Sequence, residues 1–339
     1  MRVRSTLAVI AALWCCAGPV AAQADKLAML KLSSWLPPQH PLNPSLLAWA
    51  ESLKKASGNS IMATLFPEEK LGKAATHYDM VRAGVADFAY VNPADQPGRF
   101  PLVGGAALPF LFANGKGGSA AMDAWYRQYA EQEMKEVKFC FAFVHDPGTF
   151  HARRRISVPA DLRGMRVRPA TEPLSQLVAH LGGIPVQSTA LEARNLVDRG
   201  EADAITFPWG SVPLFGIDTA LRYHMDAPLY VTPFVWVMNR SRYESLAPTQ
   251  KKAVDDHCTT EWAERVATPW AEFENAGRNR LTQSGHHVYP LTHRQLKAWR
   301  EAAAPCEAQW SEAVRRAGQD PKRALESLRA SLAKYKAAL

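Results

Sequence analysis

The densest group of side chains in this sequence that could do chemistry is His145-Asp146 with His151. Two imidazoles and a carboxylate within seven residues could bind zinc or shuttle protons, as a secreted hydrolase or lyase would require. Their spacing is not that of a helical metal pair, and the intervening Asp146-Pro147-Gly148-Thr149 reads as a turn, so no metal site is expected. His286 and His287 follow Ser284-Gly285 at the start of a strand pattern, where adjacent side chains point to opposite faces and cannot chelate together. No G-x-S-x-G, Walker loop or G-x-G-x-x-G occurs, which leaves nucleophilic, nucleotide and dinucleotide chemistry without support and implies no cofactor. Arg168 closes the run Asp161-Leu162-Arg163-Gly164-Met165-Arg166-Val167-Arg168 and offers different chemistry. A guanidinium is a planar fork that matches a carboxylate with two hydrogen bonds, so an arginine aimed into a cleft fixes both charge and orientation.

The elements that would position these groups alternate. Ala28 to Trp35 reads as a strand leading into a Pro-Pro loop, Asn43 to Lys55 as a helix, Ile61 to Phe66 as a strand, Ala74 to Ala83 as a helix and Ala86 to Val91 as a strand. This β-α-β-α-β order favours a doubly wound sheet whose ligand crevice lies beyond the carboxyl ends of its strands. A second series follows, with strands at Val137 to Val144, Phe150 to Ile156, Met165 to Arg168, Ile184 to Val186 and Ala202 to Thr206, and helices at Leu174 to Leu181 and Ala190 to Arg199. Thr232 to Asn239 is a strand that could return to the first sheet. The expected fold is therefore α/β and two-lobed, each lobe a mixed sheet flanked by helices. Residues 25–147 with 233–275 are expected to form one lobe, and 148–232 with 276–339 the other. From Pro248 to Arg280 the pattern is one long helix spanning the lobes, with Val254, Cys258, Trp262 and Val266 on one face and a kink at Pro269. Thr292 and Gln295 form a capping box for a next helix that Pro305 should interrupt, and the tail from Pro321 has the spacing of a packing helix.

At 339 residues and 47% hydrophobic content the chain can fill two cores, and 21% charged residues is too few for a disordered polyelectrolyte. Arg2 and Arg4, the apolar run Leu7 to Cys16 and the site Ala22-Gln23-Ala24 read as an export signal covering residues 1–24. Its removal lowers the balance of 40 basic against 32 acidic residues to 38 against 32. That surplus comes without a Lys/Arg block, which argues against nucleic acid and for a small anionic ligand. Cys140, Cys258 and Cys306 then remain. In an oxidising compartment Cys258 and Cys306 could pair, leaving Cys140 as buried strand filler.

Six stretches in order resemble the solute-binding proteins of tripartite ATP-independent periplasmic (TRAP) transporters, the dicarboxylate-binding family. These are Leu71-Gly72-Lys73 with His77-Tyr78-Asp79-Met80; Gly84-Val85-Ala86-Asp87-Phe88-Ala89-Tyr90; Gln96-Pro97-Gly98-Arg99-Phe100-Pro101 with Leu108-Pro109-Phe110; the run ending in Arg168; Phe207-Pro208-Trp209; and Pro233-Phe234-Val235-Trp236-Val237-Met238-Asn239. The resemblance implies a periplasmic binding protein, monomeric by default, that closes on an organic acid and delivers it to the membrane subunits of a TRAP transporter. It also implies that Arg168 makes a two-point salt bridge to the ligand carboxylate. Other expected ligand contacts are the strand-end residues Trp35, Tyr90, Asn92, Thr149, His151, Phe207 and Trp209, with Phe234 on the crossing strand, while Trp236 belongs to the core. Gly210 stands where relatives commonly carry an acid, which removes an acceptor for sugar hydroxyls. Aromatic side chains beside Arg168 would favour a flat or otherwise apolar organic acid, because stacking rewards the ring.

Overall fold

The computed structural model describes residues 25–339, so the export signal assigned to residues 1–24 lies outside the described residues. Eleven strands follow among the described residues: β1 (Ala28–Ser33), β2 (Ile61–Phe66), β3 (Phe88–Val91), β4 (Val137–Val144), β5 (Thr149–Ala152), β6 (Arg166–Arg168), β7 (Ile184–Pro185), β8 (Ala204–Phe207), β9 (Tyr223–Asp226), β10 (Pro233–Asn239) and β11 (His287–Pro290). They form two mixed sheets, ordered β2-β1-β3-β10-β4 and β11-β9-β5-β8-β6-β7. In the first, β1 runs parallel to β2 and β3, and β10 enters antiparallel between β3 and β4. The chain passes between sheets after β4 and returns before β10. These two passages touch where Gly148 and Tyr230 bridge, the Gly148 amide donating to the Tyr230 carbonyl at 2.9 Å. A side chain at Gly148 would meet the Phe207 carbonyl oxygen at 2.6 Å, so close approach of backbones explains the glycine.

Each sheet is built from short apolar runs backed by helices. The run Val137-Lys138-Phe139-Cys140-Phe141-Ala142-Phe143-Val144 is almost wholly buried although β4 is an edge strand. The buried carboxylate of Asp123 caps that edge by accepting from the Ala142 amide, the Arg127 guanidinium and the Thr260 hydroxyl. An unpaired strand edge is thus satisfied from the helix Gly115–Tyr126 packed on it.

Four features of the late helices differ from the sequence reading. The long helix breaks into Pro248–Asp256 and Thr260–Gln283, because Thr259 turns extended and its hydroxyl caps the second piece at the Trp262 amide. The break turns Cys258 toward β4, where it forms a disulfide with Cys140. Cys306 is free and buried against the Pro173 carbonyl, which corrects the expected Cys258–Cys306 pairing. Pro305 does not interrupt its helix, which runs unbroken from His293 to Arg316 behind the expected Thr292 and Gln295 capping box. The last helix, Pro321–Lys334, packs on Gly115–Tyr126, with the Trp125 indole donating to the Ala324 carbonyl at 2.9 Å. The tail thus returns to the first sheet's lobe, whereas the sequence reading groups it with the second.

Candidate functional site

Between the two sheets lies a narrow, partly enclosed cavity. Its walls come from the carboxyl-end loops of both sheets, from the two crossing passages and from the helix Thr260–Gln283. Arg168 ends β6 and reaches this cavity while only 3% exposed. Its Nε and Nη2 donate to the Ser188 carbonyl at 3.2 and 3.0 Å, which locks the plane of the guanidinium. Nη1 has no hydrogen-bond partner among the described residues, and Asp95 and Glu192 act on the group only from a distance. Burial pulls the Arg168 guanidinium below its ordinary range, with Tyr230, Asp95 and Glu192 opposing that pull. An arginine nevertheless stays charged in a protein, so the site holds a buried cation with no counter-charge in contact among the described residues.

The remaining wall is mostly aromatic. Trp35, Phe207, Phe215, Tyr230, Phe234 and Trp270 all face the space, and no carboxylate does. The rings support one another: Phe234 lies 5.3 Å from Trp270 and 6.5 Å from Trp35, and Phe207 is 5.4 Å from Phe215. The Phe207 ring also sits 5.7 Å from the Arg168 guanidinium carbon. Two further donors belong to residues that line the same space. The Trp35 indole nitrogen is buried without a partner. His40 accepts from the Leu42 amide through Nδ1, which places its proton on Nε2, and burial lowers its pKa to about 3 and keeps the ring neutral.

Five of the nine residues expected at the site line the cavity: Arg168, Trp35, Asn92, Phe207 and Phe234. The structure places the other four one layer behind it. Tyr90 is fully buried beneath Trp35 and Phe234, at 5.1 and 4.9 Å between ring centres. The Thr149 hydroxyl donates to the Met225 carbonyl at 2.6 Å, inside the second sheet. Trp209 packs edge-on against His151 at 5.3 Å. His151 itself starts a line of three imidazoles. Its Nε2 donates to the Phe207 carbonyl, its Nδ1 accepts from His224 Nδ1 at 2.7 Å, and His224 Nε2 accepts from His286 Nδ1 at 2.8 Å. That line consumes His151 in fixing the position of Phe207, and burial lowers its pKa to about 4.

Sequence reasoning missed Trp270, Phe215, Tyr230 and the wall-forming role of His145. Trp270 comes from a helix more than a hundred residues after Arg168, and only the burial of one helical face hinted at it. Its indole donates to Glu274 at 2.7 Å, and Glu274 also accepts from the Ser211 amide at 2.9 Å and from the Ser211 hydroxyl. This buried carboxylate fixes two wall residues at once, and burial pushes its pKa up to about 7. His145 lines the cavity with both ring nitrogens engaged, Nδ1 donating to the Asp146 carbonyl at 2.6 Å and Nε2 accepting from the Thr232 amide at 2.9 Å. Asp146 accepts from the Gly115 amide at 2.7 Å. His145, Asp146 and His151 therefore each serve a separate structural bond and do not converge as an acid and base.

The family model for bacterial extracellular solute-binding protein, family 7 (DctP) matches residues 32–313. The chain belongs to this family. A TRAP solute-binding protein from Rhodoferax ferrireducens, solved with copurified benzoate, is 26% identical at a TM-score of 0.86, over 91% of this chain and 98% of that one. One from a marine metagenome, described as specific for aromatic acids and bound to 3-hydroxybenzoate, is 27% identical at a TM-score of 0.86 over 91% and 99%. One from Bordetella bronchiseptica with bound mandelate is 27% identical at a TM-score of 0.85 over the same shares. Among curated proteins, the 2,3-diketo-L-gulonate-binding periplasmic protein of Escherichia coli is 23% identical over 212 residues. The match spans 63% of that protein's length and 60% of this chain. An uncharacterised protein of Haemophilus influenzae is likewise 23% identical, over 62% of its length. No helix among the described residues is long and apolar enough to cross a membrane.

Proposed function

We propose that this chain is a periplasmic solute-binding protein that closes its two lobes around a small aromatic carboxylate and hands it to the membrane subunits of a TRAP transporter. The observation that carries this reading is the unpaired guanidinium of Arg168, held in plane by the Ser188 carbonyl and facing a cavity walled by aromatic rings. A ligand carboxylate supplies the missing counter-charge through Nη1, the Trp35 and His40 N–H groups complete its hydrogen bonds, and Phe207, Phe234 and Trp270 stack against its ring. Tyr90 acts at second hand, by holding Trp35 and Phe234 in place. The hinge lies at the two crossing passages, near residues 147 and 232, and closure is a population shift that the ligand drives by bridging both lobes.

Relatives that bind benzoate, 3-hydroxybenzoate and mandelate at similar identity support the substrate class. The separate structural bonds of His145, Asp146 and His151 support binding without turnover. Calorimetric titration of the mature chain, residues 25–339, should show benzoate or mandelate binding more tightly than glucuronate, with each acid recovered unchanged after long incubation. Tighter binding of glucuronate, or conversion of any of these acids, would defeat the proposal.

A further inference from the structure

A second cavity backs onto the first. The two share a wall made of three adjacent residue pairs: Asn92, Ala170 and Thr232 face the first space, and Pro93, Thr171 and Pro233 face the second. Its sides are apolar, formed by Pro97, Phe100, Val103 and Pro101 from the segment after β3, and by Trp310 and Ala313 from the helix His293–Arg316. Trp310 is fixed by donating its indole proton to the Pro101 carbonyl at 2.8 Å. Against these apolar sides stand two polar atoms with no hydrogen-bond partner among the described residues. Thr171 is 5% exposed, lines the cavity, and its hydroxyl has no partner. It occupies the N-cap position of the helix Glu172–His180 without capping it, so the hydroxyl is not spent on the fold. The amide oxygen of Gln176, one turn further on, is also buried and unpartnered, because the amide nitrogen is used by Glu172. A buried acceptor without a partner carries a penalty that a donor on a ligand removes. The single ionic group on this lining is the carboxylate of Glu172, so the charge here is the reverse of that in the Arg168 cavity.

We infer that this cavity is a second ligand site, for a small apolar molecule ending in a hydrogen-bond donor, a primary alcohol or a protonated amine, rather than for the carboxylates of the Arg168 site. Its walls come from both lobes, so an occupant holds the lobes together and, by reciprocity of linked equilibria, tightens carboxylate binding on the far side of the shared wall. The linkage rests on the closure proposed above; the site itself does not.

The test uses benzyl alcohol and benzylamine as probes on the mature chain, by calorimetry and ligand-observed NMR. At least one probe should bind saturably without displacing benzoate, and the two arms tell a neutral donor from a cationic one. Gly104→Phe fills the cavity: Gly104 lines it, has ordinary backbone geometry, and a β-carbon there meets nothing within 4 Å. This variant should keep its melting temperature and its benzoate binding and lose the probe. Thr171→Val keeps the shape and removes the hydroxyl, and should weaken the probe about three- to tenfold. Saturating probe should tighten benzoate about fivefold or more in the unmodified chain and have no effect in Gly104→Phe. Arg168→Ala should still bind the probe after losing benzoate, which separates this site from the first. Absence of saturable binding by both probes, or undiminished binding in Gly104→Phe, would overturn the site; a benzoate affinity indifferent to the probe would overturn the linkage alone.

Discussion

The Cys140–Cys258 disulfide ties the edge strand β4 to the break between the two late helices and closes a loop of 118 residues. In the chain-entropy model a closure of that length restricts the unfolded state by about 5 kcal/mol at 25 °C, and measured bridges commonly deliver about 2 to 4. In a chain of this size each kcal/mol moves the melting temperature by about 2 °C, so the double variant Cys140→Ala/Cys258→Ala should melt about 4 to 10 °C lower. Both sulfurs lie in the core of the first lobe, outside the cavity wall, so benzoate affinity at 25 °C should stay within about twofold. Calorimetry with and without reductant, together with a thiol count on unfolded, unreduced protein, reads both quantities. One free thiol, Cys306, is expected in a chain of residues 25–339. Three free thiols, or a melting temperature that reductant leaves unmoved, would refute the pairing and remove one physical argument for an oxidising compartment.

Three further outcomes follow from the same contacts. Gly277→Ala should destabilise the protein by about 1 to 3 kcal/mol in urea unfolding, because its new β-carbon would sit 2.2 Å from the Gly210 backbone nitrogen; unchanged stability would mean that this helix does not press on the second lobe there. Burial raises the Glu274 carboxyl from its ordinary 4.5 to about 7, so the folded state takes up a proton between those values. Its contribution to stability is therefore complete below pH 4.5 and declines by about 3 kcal/mol as pH rises through 7, and the profile of Glu274→Gln should lack this decline; parallel profiles would contradict it. Phe234→Ala should weaken benzoate by about tenfold while leaving a non-aromatic acid such as pyruvate within about twofold, since only the ring loses its stacking partner; equal losses for both acids would show that Phe234 does not select for rings.

Much of the first sheet was legible because its strands are continuous apolar runs bounded by turns, and β2 and β4 fall at the residues the pattern marks. Arg168 was legible as well, through the motif that precedes it. The rest depends on distances that no local pattern encodes. Cys258 sits four residues from Val254 and Trp262 in a helical register, and nothing in that register announces the extended turn at Thr259 that sends its sulfur to β4. Tyr90 and Trp209 were read at the cavity because they lie at strand ends beside it, yet Tyr90 packs beneath Trp35 and Phe234 and Trp209 packs on His151, contacts that no local pattern announces. Trp270 and Glu274 went unseen because they reach the site from a helix whose neighbours only the closed topology specifies. His145 illustrates the converse: a cluster that looked reactive turns out to be saturated by backbone groups at a crossing point.

The most direct measurement is the calorimetric affinity of benzoate for the unmodified chain against Arg168→Ala. Loss of a buried charge-assisted contact should weaken binding by about 2 to 5 kcal/mol, roughly thirtyfold to several thousandfold. Arg168→Lys should recover only part of it, because an ammonium keeps the charge without the fork. The ligand-free melting temperature should hold or rise, since the substitution removes an uncompensated buried cation. Benzoate bound by Arg168→Ala within about threefold of the unmodified chain would contradict the account.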